Sequence, residues 1–205
     1  MLKVWGRMTS TNVQKVMWCI DELGVAHEHI DLPHGRARQD AAYLAMNPNG
    51  LVPTIEDDGF VLWESNSCVR YIAAKFGAGT LWPTDLRQRA DAERWMDWQL
   101  TTLSAPSWAI FLGLVLQKPE QRDIAAITAA NKRLNELWAI VDEVLATRKF
   151  VAGDQLTIGD IPMGIAAYRW FAVPVERERF PHFEAWYGRL TERPAFKKNV
   201  MTPLL

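Results

Sequence analysis

Cysteine is scarce in this chain of 205 residues: there are two, Cys19 and Cys68. They lie far apart and have neither CxxC nor metal-ligand spacing, which excludes a disulfide framework and a cysteine zinc site and fits a reducing compartment. Each reads as a small packed residue inside a helix. An excess of one charge is absent as well. With 23 Lys and Arg against 24 Asp and Glu, the formal net charge of -1 and pI of about 6.4 leave no electrostatic footprint for nucleic acid. No run of about 18 apolar residues suggests a bilayer span, and the opening MLKVWGRMTS has too short an apolar stretch for a signal peptide. Together these absences predict a soluble, cytoplasmic protein with no metal, membrane or nucleic-acid partner. Core material is plentiful: 49% hydrophobic residues and 10 Trp, in a length that suits one large domain or two small ones.

The stretch Met8 to Leu23, MTSTNVQKVMWCIDEL, organises the rest. Four small polar residues, Thr9, Ser10, Thr11 and Asn12, precede Val13, Val16, Met17 and Ile20 at helical spacing, so an amphipathic helix is predicted to begin inside the polar cluster. Unpaired backbone N–H groups and the positive end of the helix dipole make such a place favourable for an anion. Before it, Leu2 to Trp5 reads as a strand. After it, Gly24 closes the helix and His27 to Leu32 alternates as a second strand, parallel to the first. Pro33 to Arg38 reads as a loop and Gln39 to Met46 as a short helix. Asn47 to Gly50 is turn chemistry, Leu51 to Ile55 a strand, Asp57 to Gly59 a hairpin turn, and Phe60 to Trp63 the returning strand. Pro53 has no N–H to donate, so it should end pairing or take the cis form at a turn into a site. From Ser65, a helix N-cap, Val69, Ile72, Ala73 and Phe76 share one face.

The order βαβαββα, the polar cluster at the first helix, Val52-Pro53 at the third strand and Glu64-Ser65 before the third helix resemble the thioredoxin-like domain of cytosolic glutathione transferases. Gly77 to Pro83, GAGTLWP, reads as a linker, and beyond it the composition turns to helix only. Arg87 to about Leu116 is one helix that Pro106 should kink or divide. Glu120 to Thr147 is a long amphipathic helix. Thr157-Ile158-Gly159-Asp160 has capping-box spacing before the apolar run Ile161 to Phe171, and it resembles the folding signal of the transferase helical domain. Pro181 to Leu190 and Arg193 to Asn199 close the chain as short helices. The resemblance thus spans nearly all the residues. It implies an α/β, thioredoxin-like glutathione-binding domain over 1–79 and an all-α helical bundle over 87–205.

A thioredoxin-like fold is expected to hold a reactive cysteine at the first helix N-terminus, yet here those positions are Thr9 to Asn12. The thiol therefore has to arrive with a ligand, and glutathione, as co-substrate, meets the need. Lowering a free thiol pKa of about 8.5 by roughly two units takes about 2.7 kcal/mol of preference for the thiolate. A helix terminus supplies about 0.3 to 2 kcal/mol and one hydrogen bond to a charged acceptor about 1.5 to 3. The dipole alone falls short, and one side-chain donor closes the gap.

By the resemblance, Ser10 falls where serine-type members keep their catalytic hydroxyl, and Asn12 where others keep a thiolate-contacting Asn. Thr9 and Thr11 stay open as donors, as does the reading in which all four only cap the helix. Glu64 and Ser65 are expected to hold the γ-glutamyl amine and carboxylate, with Asn66 assisting, and Val52 before Pro53 to pair with the cysteinyl amide like an added strand. Leu51 departs from the family, many of whose members have Lys or Arg there for the glycyl carboxylate; Arg38, Arg36 or His34 would substitute. Asp97 resembles an acidic residue that some classes extend across a dimer interface, and reads equally as an exposed helix carboxylate. Between the domains, the Met8 loop, Trp98, Ser104, Trp108, Phe111 and Tyr168 are the candidates for an apolar electrophile pocket. The implied activity is attack of bound thiolate on a hydrophobic electrophile or a disulfide, by a homodimer. The second reading is a non-catalytic binding or assembly module of the same fold, which Leu51 favours.

Overall fold

The computed structural model describes residues 1–204, so the final residue of the expected helical unit, Leu205, lies outside the described residues. Four strands, β1 (Leu2–Trp5), β2 (His27–Ile30), β3 (Thr54–Asp57) and β4 (Phe60–Trp63), form one sheet in the order β2-β1-β3-β4. β1 runs parallel to β2 and antiparallel to β3, with Val4 opposite both His29 and Ile55. Alternation decides what each face meets. Leu2 and Val4 point into the main core beneath α1 (Thr11–Glu22) and α3 (Ser65–Phe76), while Trp5 packs on the other face against Leu32, Ala37 and Tyr43, below α2 (Ala41–Met46).

Most predicted elements form within a residue or two of their expected bounds, and the exceptions have local causes. β3 starts at Thr54 instead of Leu51 because the Leu51 carbonyl accepts from Tyr43 Oη (2.6 Å) and Asn47 Nδ2 (2.8 Å) and so is taken out of any ladder. Pro53 stands at the strand's entry, after a cis Val52–Pro53 bond. Asp57 belongs to β3, leaving Asp58 and Gly59, both at positive φ, as the turn. α6 (Ile124–Leu145) begins four residues later than expected, where Asp123 accepts from Ala126 N at 2.9 Å.

Pro106 does not divide its helix. α4 (Leu86–Trp98) runs through a wide turn at Gln99–Leu103 into α5 (Ser104–Phe111) and a second wide turn at Leu112–Leu116. The wide turn ends just before the proline, where a regular turn would have met its ring and missing N–H. Ser104 Oγ ties the turn by donating to the Gln99 carbonyl at 3.0 Å. This 31-residue run is long and apolar enough, on length and composition alone, to cross a membrane, which corrects the expectation that no segment reaches that threshold. Part of its apolar surface serves the interior and the cavity described below: Trp95, Met96, Leu103 and Ile110 are buried, and Leu100, Trp108 and Phe111 line the cavity, while Leu86 and Leu116 are exposed.

α7 (Asp160–Ala172), α8 (Pro181–Thr191) and α9 (Pro194–Asn199) complete the helical layer. Asp160, fully buried, accepts from Thr157 N (2.9 Å), Val151 N (3.0 Å) and Trp186 Nε1 (2.9 Å), so the capping-box residue fastens a loop, a helix start and α8 together. The two layers meet along α1. Trp18 is wholly buried, its ring edge-on to Phe196 at 4.8 Å, and its Nε1 donates to Glu22, which pairs with Arg193. Gln14 donates to Thr202 Oγ1 (3.1 Å), and Asp21 accepts from Asn199 (2.7 Å).

Candidate active site

The first turn of α1 is prepared for a ligand. Ser10 occupies the N-cap with extended backbone, yet its hydroxyl makes no capping hydrogen bond and no other among the described residues, so the capping reading does not account for it. The N–H groups of Thr11, Asn12 and Val13 have no partner among the described residues, as a helix start leaves them. α3 begins nearby in the same way. Glu64, its N-cap, holds φ +71°, a left-handed conformation that costs a non-glycine residue about 1–3 kcal/mol, and strain of this kind collects at functional sites. Ser65 Oγ donates to Asn12 Oδ1 at 3.2 Å, joining the two helix N-termini. Two positive helix ends therefore converge on one place.

The other expected contacts fall around this point. Val52 backbone makes no hydrogen bond among the described residues; it lies just beyond the last β1–β3 pair, Trp5 with Thr54. Gly6, at φ +144°, lets Val52 approach: a Cβ there would sit 3.0 Å from Val52 Cβ and 2.5 Å from Val13. Leu51 is exposed, and the stem of Arg38, itself an exposed residue with no ion pair among the described residues, lies across Gly50 next to it. Asn66 is buried, and its amide donates across the layers to the Met96 carbonyl at 3.1 Å. Asp97 is paired within its own chain, 2.5 Å from Arg70.

Neither cysteine competes for the chemistry. Both are buried, and burial pushes the Cys68 thiol up to about 12 and the Cys19 thiol upward as well. No cluster of three or more His, Cys, Asp or Glu gathers among the described residues.

A cavity of about 230 Å³ opens between the layers. Thr11 and Asn12 line one side, and Ser104, Trp108 and Phe111, from the predicted set, line the other. Met8, Trp98 and Tyr168 do not line it: Trp98 packs edge-on to Trp95, and Tyr168 Oη donates to the Thr202 carbonyl at 2.5 Å. Periodicity reports that such residues share a buried stripe, not which of them meets empty space. The cavity also holds Lys15 and Arg169, which sequence reasoning passed over. The available signal was Gln14-Lys15, two polar residues in the middle of an otherwise apolar helix.

Comparison with known proteins fits this geometry. The family described as "Glutathione S-transferase, N-terminal domain" matches residues 5–80, and "Glutathione S-transferase, C-terminal domain" matches residues 101–194. The chain is 45% identical to glutathione S-transferase GstB of Escherichia coli, over all of both chains, and 28% identical to glutathione S-transferase F12 of Arabidopsis thaliana, over 98% of this chain and 97% of that one. Among solved structures it is similar to the theta class glutathione S-transferase of Xanthomonas axonopodis pv. citri with glutathione bound, at a TM-score of 0.94 and 42% identity, covering 100% of this chain and 99% of that one. Sheet order, converging helix ends and full-length similarity agree: the chain belongs to the glutathione S-transferase family.

Proposed function

We propose that the protein is a glutathione transferase that binds glutathione where α1 and α3 begin, holds it as the thiolate, and directs the sulfur at an electrophile in the interlayer cavity. The observation that carries this is the Ser65–Asn12 hydrogen bond, which gathers two helix N-termini, an unengaged Ser10 hydroxyl and an apolar cavity into one corner. Ser10 is the thiolate donor, and Asn12, whose Oδ1 already accepts from Ser65, is the second donor through its Nδ2. Glu64 and Ser65 take the γ-glutamyl amine and carboxylate. Val52, held by Pro53, offers its backbone to the cysteinyl amide, and Arg38 reaches the glycyl carboxylate that Leu51 cannot. Asn66 acts indirectly by fixing α3 to the helical layer. Residues 1–79 are then the glutathione-binding unit and 87–205 the helical unit.

The same reading makes the protein a cytoplasmic homodimer with a detoxifying role. A non-catalytic module gains nothing from an unengaged hydroxyl at a strained, anion-favouring corner. The test is calorimetry with glutathione and turnover of 1-chloro-2,4-dinitrobenzene. Binding below millimolar concentration is expected, and Ser10→Ala should lower kcat/KM by about 10- to 100-fold, the worth of one charge-assisted hydrogen bond. A Ser10→Ala, Asn12→Ala double variant of full activity overturns the assignment of these donors.

A further inference from the structure

The interlayer cavity has an electrostatic character that an apolar electrophile does not use. Lys15 sits one turn after Thr11 on α1 and is 4% exposed, yet it forms no hydrogen bond or ion pair among the described residues. Arg169, from α7, lies over the Phe111 ring at 4.2 Å, and among the described residues its hydrogen bonding is confined to a 3.4 Å contact with the Thr9 carbonyl. Among the described residues the cavity lining holds no Asp or Glu. Glu64 is the acidic group that acts on Lys15, and it stands outside the lining. Burial pushes the Lys15 ammonium down to about 8, still above neutrality, and the Arg169 guanidinium down to about 10. Both therefore face the cavity as cations at pH 7.

A buried charge without a partner is costly, and its usual resolution is an opposite charge. The geometry points to an anionic aromatic electrophile as the preferred second substrate, its carboxylate held by Lys15, with Arg169 a second positive charge on the lining and the ring among Trp108, Phe111 and Trp170. This rests on the reading of the adjacent corner as a thiolate site. About 230 Å³ suits a single ring. With a chloronitrobenzoate, the sulfur forms its bond to the chlorine-bearing carbon while the nitro group takes up the electron pair. Chloride then leaves with the C–Cl pair, and the thiol proton goes to solvent.

A carboxylate can also come from glutathione itself, and the test separates the two sources. Rates with 4-chloro-3-nitrobenzoate and with its methyl ester are compared in the wild type, Lys15→Met, Lys15→Arg and Arg169→Met, together with glutathione affinity by calorimetry. The wild type is expected to favour the acid over the ester by about 10- to 100-fold in kcat/KM. That ratio should fall toward one in Lys15→Met, fall less in Arg169→Met, and be kept in Lys15→Arg. A wild-type ratio near one overturns the inference while leaving the transferase reading intact. So does a ratio that survives in Lys15→Met while glutathione affinity drops, because the held carboxylate is then the peptide's. Absence of both glutathione binding and ester turnover overturns the underlying reading.

Discussion

At the scale of single residues, Lys15 has the clearest measurable consequence. Its ammonium titrates at about 8 in the folded protein against an ordinary 10.5, because burial disfavours the charged form, with Glu64 opposing. Between those values the unfolded chain binds more protons than the folded one, so stability rises with pH across that window. Below about pH 8 the full cost is present, about 3 kcal/mol for a shift of this size. Lys15→Met is therefore expected to raise the stability of the free protein at pH 7 by up to about 3 kcal/mol, with the gain shrinking above pH 8. Urea unfolding at pH 7 and pH 10 measures it; equal gains at both would mean that charge is not the cause. A side chain that weakens the fold where it stands is easiest to understand as serving a ligand.

At the scale of elements, the joints are more fragile than the helices. Asp160 receives four hydrogen bonds, from a loop, from the N–H and hydroxyl of Thr157 at a helix start, and from α8, all out of water. Asp160→Ala should cost about 3–5 kcal/mol, since it leaves those donors buried and unpaired, and should lower Tm while the α1 corner keeps its geometry. Thermal unfolding beside residual glutathione affinity checks both parts. This element also shows what sequence makes legible. The Thr157 to Asp160 spacing announces a helix start, because capping is local chemistry, but the bond to Trp186 joins positions 26 residues apart and no local pattern encodes it. The first domain was readable for the same reason: strand alternation, Gly24 and the Asp58-Gly59 turn are short-range signals. Ser10 and Glu64-Ser65 could be picked out through family resemblance, whereas the left-handed Glu64, the wide turn before Pro106 and the cations of the cavity follow from contacts between the layers.

At the scale of the whole molecule, exposed apolar surface argues for a partner. Phe60 on the edge strand β4 is 50% exposed beside Tyr71, and Leu86 is 72% exposed at the start of α4. A second copy of the chain covering such surface is expected, so light scattering should give about twice 23.4 kDa. A mass of one chain over micromolar concentrations would remove the homodimer. The same scale decides how separable the two layers are. Trp18 is fully buried by α9 and its surroundings, so the first domain on its own would uncover a large apolar face and is expected to be insoluble or loosely packed.

The seam along α1 reaches further than cohesion. Gln14, Asp21 and Glu22 grip Thr202, Asn199 and Arg193, so the opening turn, where the sulfur is to be received, borrows its steadiness from residues almost two hundred positions later. Slackening that tail, by Asn199→Ala for instance, should blur the aim of a hydroxyl the tail never touches.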